Sequence, residues 1–171
     1  MKDNNEELLP LVDEKGNIIG AAKRGECHDG SKQLHPVIHL HVFNNNGELY
    51  LQKRPDWKTI QPGKWDTAVG GHIDLGENVD MALRREAMEE IGISDFEPEF
   101  ICSYVFESAR EKELVYTYKT TYSGEIHTSE ELESGRFWKV QEIRDNIGKD
   151  IFTPNFESEY QEKIMVDKSS H

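Results

Sequence analysis

The chain has 171 residues and a formal net charge of −13, with 33 acidic against 20 basic side chains, 36% hydrophobic and 31% charged residues. That is the make-up of a globular protein long enough for one domain to bury roughly two-thirds of its unfolded surface. With no basic excess to displace counterions, a nucleic-acid polymer is not an expected partner. No run approaches a membrane span, Met1 to Pro10 carries acids in place of a signal peptide, and Cys27 and Cys102 make no disulfide framework. A single domain over residues 1–171, cytoplasmic and acting on a small molecule, is expected.

Leu8 to Ala22 reads as two short strands around a turn at Glu14 to Asn17, an N-terminal hairpin. A polar loop follows from Lys23 to Leu34, carrying Cys27 and His28 and ending near His35. Pro36 to Phe43 is rich in strand formers, and Asn44-Asn45-Asn46-Gly47 turns it into a second strand, Glu48 to Lys53. His39 and His41 stand two apart on the first of these strands and share a face. Two imidazoles so placed can line a substrate pocket or ligate a metal, but no Cys or His repeats a zinc-ribbon spacing nearby.

Gln52 to Trp65 is the most basic short stretch of an acidic chain. Arg54 can clasp phosphate oxygens bidentately and Lys58 can add a point charge, so both are candidate substrate contacts. Trp65 is expected to anchor the loop. A strand from Trp65 to Val69 then runs into Gly70-Gly71, where the missing Cβ lets a ligand approach the backbone.

From Gly71 the chain reads GHIDLGENVDMALRREAMEEIGI. Asn78 suits a helix N-cap and Gly92 the residue that ends it. At about 100° per residue, Glu86, Glu89 and Glu90 fall within an arc of about 100° on that helix. Carboxylates so close repel unless a cation sits among them, and hard divalent ions prefer carboxylate oxygens while keeping positions open for phosphates. The bland reading is a solvated acidic face, but Val79, Ala82, Leu83, Ala87 and Ile91 put these acids at the edge of a packed one.

The pattern Gly71-x5-Glu77-x7-Arg85-Glu86-Ala87-x-Glu89-Glu90-x-Gly92-Ile93 resembles the Nudix box, departing from it only in the small Ala87. The resemblance implies a loop-helix-loop that binds Mg²⁺ or Mn²⁺ through Glu86, Glu89 and Glu90 and hydrolyses a diphosphate linked to another group. It implies an α/β fold, an α/β/α sandwich with a mixed sheet. Arg85 would orient a carboxylate, Glu77 would brace the loop, and Gly71 would border the substrate.

Beyond the box, Phe96 to Phe106 and Glu113 to Tyr122 read as strands around a charged loop, and Arg136 to Val140 as the last strand. Glu111 and Glu113 share a face, so Glu113 is a candidate to take a proton from water. Gln141 to Lys149 and Asn155 to Val166 read as helices, the second with Phe156, Tyr160 and Ile164 at four-residue spacing. The spacing of His28, His35, the LQKR stretch, His72 and Glu111-x-Glu113 is similar to isopentenyl diphosphate isomerase, which shares the Nudix fold. In that family such positions coordinate metal and a catalytic cysteine precedes the third histidine. Here Ala68-Val69-Gly70-Gly71 precede His72, so the thiol is absent. A metal-dependent hydrolase of a small diphosphate is therefore expected, with an isomerase or a non-catalytic nucleotide-binding module as alternatives and a homodimer as the default oligomer.

Overall fold

A computed structural model describes residues 7–27, 32–56, 62–109, 111–127 and 134–164. Strands β1 (Leu8–Val12) and β2 (Ile18–Lys23) form the expected antiparallel hairpin. The Asp13 carboxylate accepts from the backbone of Lys15 and Asn17 and closes its turn. The stretch read as all loop after it begins with one helical turn, α1 (Arg24–Cys27). Cys27 is buried there with Leu9 and Ala22, and that packing gives a four-residue helix the support its length cannot.

The main sheet has seven strands: β3 (Leu34–Phe43), β4 (Leu49–Lys53), β5 (Trp65–Thr67), β6 (Val69–His72), β7 (Glu99–Glu107), β8 (Lys112–Thr121) and β9 (Ser134–Trp138). β3 and β8 run parallel and the other pairs antiparallel, so the sheet is mixed. What reads in sequence as one strand into Gly70 is two. β3 and β4 are paired only at Phe43↔Leu49 and then diverge, and the chain leaves β4 after Thr67 to join β3 at Val69. This handover sets Gly70 opposite His39 and Gly71 opposite Ile38.

Period-2 alternation sends the two faces of the sheet to different helices. Ile38, Leu40, Val42 and Tyr50 pack on Ala82, Leu83, Ala87 and Ile91 of α2 (Val79–Ile91). On the other face Leu49 and Leu51 pack with Trp138, Ile143 of α3 (Val140–Asn146) and Phe156 of α4 (Pro154–Glu159). The result is a mixed sheet between helices, as the sequence reading expects. The Asn78 side chain accepts from Met81 N at 2.8 Å, and Gly92, at φ 69°, donates its N–H to the last carbonyls of α2. Both caps fall where the sequence places them. α4 starts at Thr153, whose hydroxyl accepts from Phe156 N, and passes into a π-helical turn, Tyr160–Ile164.

Candidate active site

On α2 the acids and Arg85 form one network. The Arg85 guanidinium donates to both oxygens of Glu77, at 2.7 and 2.9 Å, and to the carbonyl of His72 at 2.9 Å. Its other nitrogen reaches Glu86 at 3.2 Å and Glu89 at 3.6 Å. Glu77 in turn accepts from Asp74 N, so the loop before the helix is tied to the arginine at its middle. This two-pronged clasp fixes the guanidinium plane, which a lysine would not do.

Glu86 and Glu90, one turn apart, meet at the glycine pair. A Cβ on Gly71 would lie 2.0 Å from Glu86 Oε2, so only glycine leaves room for that carboxylate. Glu90 Oε1 accepts from Gln52 Nε2 at 3.1 Å and from Gly70 N at 3.4 Å. Burial, then the charge of Glu86 and a hydrogen bond with it, pushes the Glu90 carboxyl well above the usual range. Glu86 is raised as well, chiefly by burial, against the pull of Arg85. Two enclosed carboxylates that resist ionising together are a donor set for a hard dication, whose charge would reverse the repulsion. Glu89 is more open and touches the same arginine.

A second cluster lies on the face of the sheet turned away from α2. β3 and β8 pair His35 with Glu113, β6 brings His72 beside them, and one ligand atom from each of the three lies within 4.8 Å of the other two. The rings of His35 and His72 are 5.3 Å apart. His35 is fully buried, with Nδ1 at 3.0 Å from the Gln33 carbonyl and Nε2 at 3.9 Å from Glu111 and Glu113. Burial and the neighbouring Glu111 raise the Glu113 carboxyl well above its ordinary value. The trio offers two imidazoles and a carboxylate, a set that suits a transition metal or Mn²⁺ better than Mg²⁺.

The remaining candidates divide. Arg54 stands 3.9 Å from Asp66, at the mouth of β4 and β5. Lys58 and His28 lie outside the described residues. His39 and His41 do share a face, but it is the face that α4 covers. His39 Nδ1 is 2.9 Å from Glu159 Oε1, and His41 Nε2 contacts the other oxygen of the same carboxylate. His41 has no exposed surface, so its expected place on a pocket wall is corrected: it is enclosed and paired inside. The sequence reading also missed Glu159, Tyr104, Thr117 and Gln52. For Glu159 a signal existed, since an acid between Phe156 and Tyr160 on an apolar stripe needs buried partners. Two concavities lined by Phe43, Glu99, Lys119 and Thr121 open at the other end of β3, away from all of these groups.

A model of the NUDIX domain family matches residues 33–156, which spans the whole sheet, the acidic helix and the start of α4. The chain belongs to the Nudix family. Isopentenyl-diphosphate Delta-isomerase 1 of Photorhabdus laumondii is 25% identical over 169 residues, covering 93% of this chain and 96% of that protein. An uncharacterised Nudix hydrolase of Streptomyces coelicolor is 27% identical over 158 residues, covering 91% and 87%. Among solved structures, the protein DR0079 of Deinococcus radiodurans superposes with a TM-score of 0.75 at 21% identity, over 89% of this chain and 96% of that one. The similarity to a Nudix hydrolase and to an isomerase together matches the two resemblances carried by the residues. No helix among the described residues is long and apolar enough to cross a membrane.

Proposed function

We propose that the protein is a metal-dependent hydrolase that cleaves a diphosphate linkage in a nucleoside diphosphate derivative or a related small molecule. The observation that carries this is the pair Glu86 and Glu90, held against Gly70 and Gly71 with raised carboxyl pKa values and flanked by Arg85. Glu86, Glu89 and Glu90 would hold Mg²⁺ or Mn²⁺. Such an ion, when bound, neutralises charge growing on phosphoryl oxygens and acidifies a coordinated water. Arg85 and Glu77 keep the carboxylates in place, and Arg54 draws the substrate's phosphates toward the loop. Glu113, its carboxyl raised by burial and by Glu111, is the residue we assign to take a proton from water.

The test is mass spectrometry of a panel of nucleotide and non-nucleotide diphosphates incubated with Mg²⁺ and wild-type protein, with Glu90→Gln as the control. Cleavage at the diphosphate by wild type alone supports the reading. Equal turnover by the variant, with its fold intact, sinks it.

One observation favours a second reading. The His35, His72 and Glu113 cluster, together with the similarity to an isomerase, suits a metal-bearing isopentenyl diphosphate isomerase. Against it, Gly70 and Gly71 stand before His72 and supply no thiol, and moving a proton on an unactivated alkene needs a strong acid-base pair. Deuterium uptake from solvent into isopentenyl diphosphate would restore that reading.

A further inference from the structure

Behind the glycine pair lies a charged assembly that the hydrolase reading does not use. The Glu159 carboxylate, 2% exposed, is gripped by His39, His41, the Tyr104 hydroxyl and the Thr117 hydroxyl, the last at 3.0 Å. Tyr104 is also within 3.2 Å of Asn155 Oδ1. Burial alone would raise Glu159, but the two imidazoles hold it well below the usual carboxylate range. The acid is an anion at every ordinary pH.

His39 is the member of this assembly that reaches outward. Its Nδ1–H is committed to Glu159, so Nε2, on the other side of the ring, carries a hydrogen only when the ring is an imidazolium. That edge lies against Gly70: a Cβ there would stand 3.4 Å from His39 Cδ2 and 3.8 Å from Nε2. Gly70 is exposed, and its N–H is the one that contacts Glu90. A group lying over Gly70 therefore touches the box carboxylate on one side and the imidazole edge on the other.

We infer that His39, backed by the buried Glu159, is a substrate-binding imidazolium whose Nε2–H donates to a phosphate oxygen held over Gly70. This rests on the diphosphate reading above and deepens it, because it assigns a cation to a site whose other charged groups are mostly acids. Burial works against protonation of His39, but the charge of Glu159, its hydrogen bond and the charge of Asp66 together raise the ring above the ordinary histidine value. The titratable groups facing it are Glu159 from α4, Asp66 from β5 and His41 on its own strand. Tyr104 and Cys102 of β7 reach it through Glu159, and burial raises both of them, so they stay neutral.

The experiment is histidine-side-chain ¹⁵N NMR of the full chain, titrated with inorganic pyrophosphate in the presence of Mg²⁺, with binding measured by calorimetry from pH 6 to 9. Both ring nitrogens of wild-type His39 are expected to be protonated in the pyrophosphate complex, and its Nε2 resonance to shift on saturation. His39→Gln should weaken pyrophosphate binding about ten- to a hundredfold, the scale of one charge-assisted hydrogen bond, and flatten the loss of affinity as pH rises. Gly70→Ala, which leaves the ring charged but covers its edge, should weaken binding while the free-state His39 resonance stays unchanged. An unmoved His39 resonance at saturating pyrophosphate, no binding of pyrophosphate, or wild-type affinity and pH profile in His39→Gln would each overturn the inference. If the diphosphate panel shows turnover while His39 does not respond, only this inference falls. If His39 responds and no compound is cleaved, the anion site stands and the hydrolase reading falls.

Discussion

Glu90 on α2, partly buried, and Glu159 on α4, fully buried, are glutamates at the margin of an apolar helix face, and their neighbours drive them in opposite directions. Glu90 faces another carboxylate, Glu86, and its carboxyl is pushed up; Glu159 faces two imidazoles, a phenol and a threonine hydroxyl, and is pulled down. Burial penalises both charges, so the difference comes from the partners alone. One helix presents carboxylates that face each other, while the other presents a carboxylate matched by imidazoles and hydroxyls from the sheet. The first kind of site suits a metal and a phosphate; the second holds strands β3, β7 and β8 to α4 and aims one ring at the first.

The sharpest way to break this contrast is on the α2 side. Glu90→Gln is expected to cut turnover of a diphosphate substrate on the order of 10³-fold, the scale of losing one preorganised electrostatic group. The same variant should melt higher than wild type in EDTA, because it removes a like-charge contact. Steady-state kinetics and thermal melting on one preparation check both, and a lower melting temperature would contradict the charge argument.

Glu159→Ala should act in the reverse sense, losing stability first. Removing one partner of a buried ionic cluster leaves imidazoles enclosed without their counter-charge, at a cost of about 3–5 kcal/mol. Urea unfolding measures it, and a cost under about 1 kcal/mol would mean that the cluster is not holding the fold.

The two sites also predict opposite pH responses of the metal-free protein. Glu90 and Glu86 have folded values above the unfolded carboxylate value, so the stabilisation they give while protonated is full below that value and is lost as pH rises through the raised one. Glu159 has a folded value below the unfolded one, so its contribution is present above the usual carboxylate range and is lost as pH falls through the lowered value. Melting in EDTA should therefore decline toward alkaline pH, and Mg²⁺ at about 100 times its Kd should return about 2.7 kcal/mol. Glu86→Gln should blunt both the decline and the return.

The smallest expected effects test the scaffolding of α2. Gly71→Ala would drive a Cβ into Glu86 Oε2, so activity should fall while the protein still folds, a separation that circular dichroism alongside kinetics would show. Asn78→Ala removes the side-chain acceptor for Met81 N and should cost about 1 kcal/mol in urea unfolding, with the pH response unchanged.

Residues 71–93 were legible in the sequence because their logic is local. Helix geometry fixes which acids share a stripe, Asn78 and Gly92 satisfy the helix ends within a few residues, and the spacing itself carries the family pattern. The N-terminal hairpin and most strands of the sheet were legible for the same reason, through turn residues and alternation. Alternation also put His39 and His41 on one face, yet it has no means of saying which helix covers that face. The break at Ala68, which carries the chain from β4 to β3, was hidden because either strand alone would accept the same residues. Tertiary structure decided the rest. Glu159 meets His39 across 120 positions of sequence, and Gln52 meets Glu90 across 38. Only the packing of α4 on one face of the sheet and α2 on the other set one carboxylate among imidazoles and hydroxyls and the other against a second carboxylate.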